Sequence, residues 1–286
     1  MIKNLMQAEF QINYQNSITF VGKGVHYNKP TTITVIPTKS DGIIFRRTDL
    51  NNKDFTASYT NIQHTQLNTT IKNGNDSIST IEHLMAAFYY MRIKNAIILI
   101  DGQEIPLMDG GSNDFIFGLE TLDIPPQTIP KLFIKNEIKV ELNDSYIIAN
   151  PNSTFEVNFT IDFQNSPIGK QEKTFTQTKH NFKEKISHAK TFGHTKQIEE
   201  MNKNGICLGG DIFSATIFND NEIISPSYTY SKMDFVRHKI LDFIGDIHTS
   251  PYEIIGNFQC YKSSHILNNK LMHQIFSNPN NYTIQN

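Results

Sequence analysis

The sequence predicts an α+β fold in two domains of similar plan. Three observations carry this. Strand-like segments give way to helix-like ones twice along the chain, which is the order expected of α+β units. A proline cluster, Pro125, Pro126 and Pro130, separates the two runs. At roughly 150 residues per domain, a chain of 286 residues holds about two. The boundary is placed between residues 126 and 127.

The first run opens with Ser17 to Val21, Thr31 to Val35 and Ile43 to Arg46, rich in β-branched and aromatic residues and bounded by Gly22, Gly24 and Asp41-Gly42. Ser79-x-x-Glu82 has capping-box spacing, and Leu84, Met85, Ala87 and Phe88 continue at helical steps, predicting a helix that ends near Arg92. Asn95 to Ile100 reads as a strand, and a short helix follows over Asp114 to Leu119. The prolines fix φ and remove backbone donors, which marks an element boundary. The second run begins with strands over Lys131–Lys135, Glu137–Leu142, Tyr146–Ala149 and Phe155–Phe163. Helices are predicted over Phe182–Ala189, over Ile198–Asn204 before Gly205, over Asp234–Ile247 and from Ile266 to Phe276. The third is the strongest, with Val236, Ile240, Leu241 and Ile244 three and four residues apart. Thr191-Phe192-Gly193 offers a hydroxyl and an aromatic that could contact a substrate, but reads by default as a turn.

Composition narrows the function classes. The charge is 26 − 28 = −2, so bulk electrostatics gives no reason to expect binding to nucleic acid or an anionic membrane surface. The segment Met1 to Gln15 lacks the basic and apolar blocks of a signal peptide, and the apolar run Ala96 to Ile100 is too short to span a bilayer. Cys207 and Cys260 are far apart and form no CxxC pair, which fits a cytosolic protein with free thiols.

Chemistry is sought among the ten histidines. His83 follows Glu82 in the first turn of a helix. Glu82 can be the capping partner of Ser79 with His83 on the surface, or a general base beside a metal-binding imidazole. His238 and Asp242 are four apart on the strongest helix, so they share a face and can hold one ion, or form an ordinary polar pair on a solvated face. Asp246 extends that row by a turn. Lys239, rotated by about 100°, can face an anionic ligand or solvent. His265 at a helix start is either an acid or an exposed loop residue. His26, His64, His180, His188, His194, His248 and His273 have no spacing that singles them out. Two histidines, an aspartate and a nearby glutamate would make an open site, with a fourth metal position left for water.

Five segments, in order, resemble one family. They are Ser79-Thr80-Ile81-Glu82-His83-Leu84-Met85-Ala86-Ala87; Asp101 to Gly110, read DGQEIPLMDG; Ala189-Lys190-Thr191-Phe192-Gly193 with Leu208-Gly209-Gly210 after it; Phe235 to Asp246, read FVRHKILDFIGD; and Tyr261 to Leu271, read YKSSHILNNKL. Any one alone is weak, but together they span nearly the whole chain. The family is the UDP-3-O-acyl-N-acetylglucosamine deacetylases of lipid A synthesis.

The resemblance implies a sandwich of two domains, each a sheet packed on two helices, with the active site between them. It also implies an insert near residues 192–221 that forms an acyl passage. The implied reaction is hydrolysis of the N-acetyl amide of a UDP-linked acylated aminosugar, by a monomeric cytoplasmic enzyme without membrane insertion. Position by position, His83, His238 and Asp242 would bind zinc, although iron(II) suits the same ligands. Glu82 would be the base. His265, oriented by Asp246, would stabilise the oxyanion or protonate the leaving amine. Thr191 would donate to the oxyanion, Lys239 would contact the diphosphate and Phe192 the sugar or nucleotide. Ile198 and Cys207 would line the acyl passage. Three positions depart from the family's usual wording. Lys190 stands where arginine is common, His194 where phenylalanine is common, and Ser264 where glycine is common.

Overall fold

The computed structural model describes residues 9–13, 16–39, 41–63, 67–178 and 181–285. His64, His180 and most of the N-terminal segment read above lie outside the described residues.

Two large sheets dominate. The first runs in the order Glu9–Asn13, Ser17–Lys23, Pro30–Pro37, Ala96–Ile100, Ile43–Arg47, Lys53–Thr56. The second runs Ile138–Leu142, Ser145–Asn150, Asn257–Tyr261, Glu156–Phe163, Gly169–Thr176. They share a device. In each, a strand late in the sequence enters the middle of the sheet, antiparallel to one neighbour and parallel to the other: Ala96–Ile100 in the first and Asn257–Tyr261 in the second. Side chains alternate across a strand, so Ile18 and Phe20, Ile33 and Val35, and Ile98 and Ile100 share the buried face of the first sheet. Val157, Phe159 and Ile161 do the same in the second.

Six α-helices are described: α1 (Glu82–Met91), α2 (Asn113–Leu119), α3 (Asn181–Lys185), α4 (Thr195–Lys203), α5 (Asp234–Ile247) and α6 (His265–Phe276). The first half of α1 and nearly all of α5 are buried, and the two pack against each other. Their backbones touch at Gly245, where a Cβ would collide with the carbonyl of Glu82. Among the described residues, no helix is long and apolar enough to cross a membrane.

Several boundaries differ from the sequence expectation for identifiable reasons. The helix expected over Phe182–Ala189 ends at Lys185, because the Ser187 carbonyl turns to accept the Ser112 N–H at 2.8 Å. Helix α4 starts three residues before Ile198, where the His194 imidazole caps it by accepting the Lys196 N–H at 3.1 Å. Thr191–His194 is a strand rather than a turn. It pairs in parallel with Ala215–Phe218, a partner too distant in sequence for local turn chemistry to reveal.

Candidate metal centre and active-site cavity

Helix α1 does not begin with a capping box. Its N-cap is Ile81, with no side-chain cap bond. Ser79 Oγ donates instead to the Gln103 carbonyl at 3.2 Å. Thr80 has φ +61°, an outlier for a β-branched residue. It is held by donating to Glu104 Oε1 at 3.1 Å and by accepting from Asn68 at 3.3 Å. This bend frees the Glu82 carboxylate from the helix cap and turns Glu82 and His83 inward, 3% and 4% exposed.

On α5 the four-residue step places His238 and Asp242 on one face, as expected. That face is buried, not solvated. The close approach of α1 and α5 brings His83, His238 and Asp242 together, with one ligand atom from each lying within 4.8 Å of the others. Asp242 Oδ1 is 3.7 Å from His83 Nε2 and 3.4 Å from His238 Nε2. The edge of a tetrahedron with zinc bonds near 2.1 Å is about 3.4 Å, so the spacing suits an ion of that size. Two further observations fit a cation. Among the described residues, Asp242 Oδ1 is buried without a hydrogen-bond partner, which is costly for an acceptor-only oxygen unless a cation supplies the missing interaction. His238 Nδ1 lies 3.1 Å from the Ala189 carbonyl, so it carries the proton and leaves Nε2 bare for a metal. Burial pushes the His238 pKa down to about 4, against the pull of Asp242, so the ring is neutral at pH 7. Burial alone would raise the Asp242 pKa, but His238, Lys239, His83 and His265 outweigh it and hold the carboxyl well below the usual range.

Around this cluster stand the other expected residues. Burial raises the Glu82 pKa, opposed by His265 and His83. His265 is buried at the first position of α6 rather than exposed in a loop. Its Nδ1 lies 2.8 Å from Asp246 Oδ2 and its Nε2 3.9 Å from Asp242 Oδ2. Burial would lower the His265 pKa, yet Asp246, Asp242 and Glu82 overcome it and lift it to about 9. The Lys239 ammonium is 2.6 Å from Asp242 Oδ2, so it already engages a candidate ligand.

A cavity of about 730 Å³ opens over the cluster, and Thr191, Phe192, Ile198, Cys207 and Lys239 all line it. Phe192 sets its ring edge-on to Phe235 and His238. Thr191 is fixed by donating its N–H to the Gly110 carbonyl at 2.8 Å. Of the three departures, His194 caps α4, and Ser264 caps α6 by accepting the Leu267 N–H at 3.4 Å. Lys190 acts electrostatically on Asp109 and Asp114.

The matching family model, described as "LpxC: UDP-3-O-acyl N-acetylglycosamine deacetylase", covers residues 11–277. The chain belongs to this family. It is 36% identical over 275 residues to the UDP-3-O-acyl-N-acetylglucosamine deacetylase of Campylobacter fetus, covering 95% of this chain and 93% of that one. It is 38% identical to the enzyme of the same name from Pasteurella multocida, covering 94% and 90%. To that of a Psychrobacter species it is 35% identical, covering 96% and 94%.

Sequence reasoning passed over two residues. His26, set aside for lack of spacing, lines the cavity with its Nε2 buried and without a partner among the described residues, and burial and His265 lower its pKa to about 4. Thr69 carries no motif, yet it bonds both Glu82 and Asp246. Both come from loops whose partners are far away in sequence, and periodicity cannot report that.

Proposed function

We propose that this protein hydrolyses the N-acetyl amide of UDP-3-O-(3-hydroxyacyl)-N-acetylglucosamine, giving the free amine and acetate, in lipid A biosynthesis. The observation that carries the reading is the buried trio of His83, His238 and Asp242, flanked by Glu82 and His265 in a chain of this family. Those three residues would hold zinc. Zinc bound there would polarise the acetyl carbonyl and lower the pKa of a water to about 7.

Glu82 then takes a proton from the attacking water, and burial, which raises its pKa, makes it a stronger base than a solvated carboxylate. Thr191 donates to the oxyanion that develops on the acetyl group. His265, kept protonated by the surrounding carboxylates, hands its proton to the amine nitrogen as the C–N bond breaks. Asp246 holds the ring so that Nε2 faces the reacting centre. Lys239 contacts the diphosphate once substrate draws it from Asp242. Phe192 offers a ring face to the sugar or nucleotide, while Ile198 and Cys207 line the acyl passage between α4 and the strand Ala215–Phe218.

We place the boundary between two domains at residues 126 and 127, with the site between them in a sandwich. Supporting this, every described sheet draws its strands from one side of that boundary only. A monomer in the cytoplasm follows from the resemblance. The deciding experiment is Glu82→Gln. Turnover of the UDP-linked substrate should fall by about 10²- to 10⁴-fold while zinc per chain stays at the wild-type level. Full activity in that variant would refute the base assignment, and wild-type turnover of other acylated amines but not of the UDP-sugar would refute the substrate.

A further inference from the structure

We infer that Thr69 is a positioning residue that sets the base and the acid together, its backbone aiming Glu82 and its hydroxyl aiming His265 through Asp246. The inference rests on the roles proposed above for Glu82 and His265.

Thr69 is 1% exposed and immediately precedes the strand Thr70–Asn73. Its carbonyl accepts the Ile81 N–H at 3.2 Å, which ties it to the entry of α1. Its own N–H donates to Glu82 Oε2 at 2.9 Å. One carboxylate oxygen is thereby pinned, and the other is left to take a proton. The side chain reaches the other helix, α5. A carboxylate only accepts, so the Thr69 hydroxyl donates to Asp246 Oδ1 across 177 residues of sequence. The second oxygen, Asp246 Oδ2, accepts from His265 Nδ1 at 2.8 Å and from Asn268 Nδ2 at 2.7 Å. Three donors from three directions fix the plane of a carboxylate that is 2% exposed. That plane fixes the imidazole. Thr69 Oγ1 also lies 3.3 Å from His265 Nδ1, too far to compete with the 2.8 Å bond to Asp246. The hydroxyl therefore acts on His265 chiefly through Asp246.

The backbone bond to Glu82 survives any substitution other than proline, so side-chain variants isolate the hydroxyl. Thr69→Val keeps the shape and removes the donor, while Thr69→Ser keeps the donor. Thr69→Val should lower kcat by about 10- to 100-fold with KM and zinc content unchanged, and Thr69→Ser should recover most of it. In an Asp246→Asn background, Thr69→Val should cost nothing more, because the path through Asp246 is already broken. A readout that needs neither metal nor turnover is the His265 Nδ1–H resonance in ¹H–¹⁵N spectra of metal-free protein. It should move in Thr69→Val and return in Thr69→Ser. Should valine prevent folding, Thr69→Ala is the second hydroxyl-free variant and must behave as valine is expected to. Wild-type kcat in the hydroxyl-free variant, an unmoved resonance, or an equal loss in Thr69→Ser would overturn the inference. A wild type that fails to deacetylate the UDP-sugar, while the resonance moves as expected, would sink the proposed function and leave the Thr69 contact standing.

Discussion

Replacing Gly245 by alanine would wedge apart the two helices that share the candidate metal site. The added Cβ would lie 2.9 Å from the carbonyl carbon of Glu82 and 3.1 Å from its Cα. The Glu82 carbonyl oxygen would be closer still, and non-bonded heavy atoms settle at about 3.2–3.5 Å or more, so α1 and α5 must separate by roughly 1 Å or more at this point. His83 is the next residue on α1, and Asp242 lies one turn back on α5. If the helices move as rods, the 3.7 Å gap between His83 Nε2 and Asp242 Oδ1 opens to about 4.7 Å, against the roughly 3.4 Å that a tetrahedral zinc asks for. Glu82 moves with the same backbone. Overpacking of this kind costs about 1–3 kcal/mol, less than the 5–15 kcal/mol typical of a folded domain, so the variant should still fold. Zinc affinity, measured by competition with a chelator, should fall by about tenfold or more. Turnover at saturating zinc should fall by about 100-fold, as expected of catalytic groups displaced on the ångström scale. A Gly245→Ala protein with wild-type zinc affinity and wild-type kcat would show that the helix approach does not set the ligand geometry.

Three more expectations follow from the same geometry. Zinc at 100 times its dissociation constant should stabilise the protein by about 2.7 kcal/mol, seen as a rise in Tm, and an equal rise in His83→Ala would place the ion elsewhere. The His265 pKa of about 9 in the fold lies above its ordinary 6.5, so its contribution to stability is full below about pH 6.5 and is lost as pH rises through about 9. Urea melts of metal-free wild type and His265→Gln should therefore converge over that window, and a gap that does not change with pH would contradict the assignment. Gly110 has φ +82°, and a Cβ there would lie 2.6 Å from the Ser214 carbonyl carbon. Since the Gly110 carbonyl holds the Thr191 N–H, Gly110→Ala should lower kcat with zinc retained, and metal analysis beside an activity assay decides it.

What the sequence determined by itself was local or periodic. Helix α5 was legible to the residue, because its apolar stripe repeats at the helical period and its burial is nearly complete. Seven strands of the two large sheets were legible from β-branched and aromatic runs, from Ser17 to Val21 through Phe155 to Phe163. Glu9–Asn13, Lys53–Thr56, Gly169–Thr176 and the central Asn257–Tyr261 were not, because their place is set by pairing with distant segments. The four-residue step fixed His238 and Asp242 on one face before any fold was known. Only the tertiary structure decided what that face meets. A span of 155 residues separates His83 from His238, and no spacing rule crosses it. The contact at Gly245 closes that span. The capping-box reading of Ser79 and Glu82 failed because Glu104 and Asn68, outside any local window, hold Thr80 in a left-handed turn that removes Glu82 from the cap. The strand Thr191–His194 was hidden because its partner is another chain segment. Thr69 was hidden because its N–H and its hydroxyl gain their meaning from where the carboxylates of Glu82 and Asp246 come to rest, and that is settled only when α1 and α5 pack.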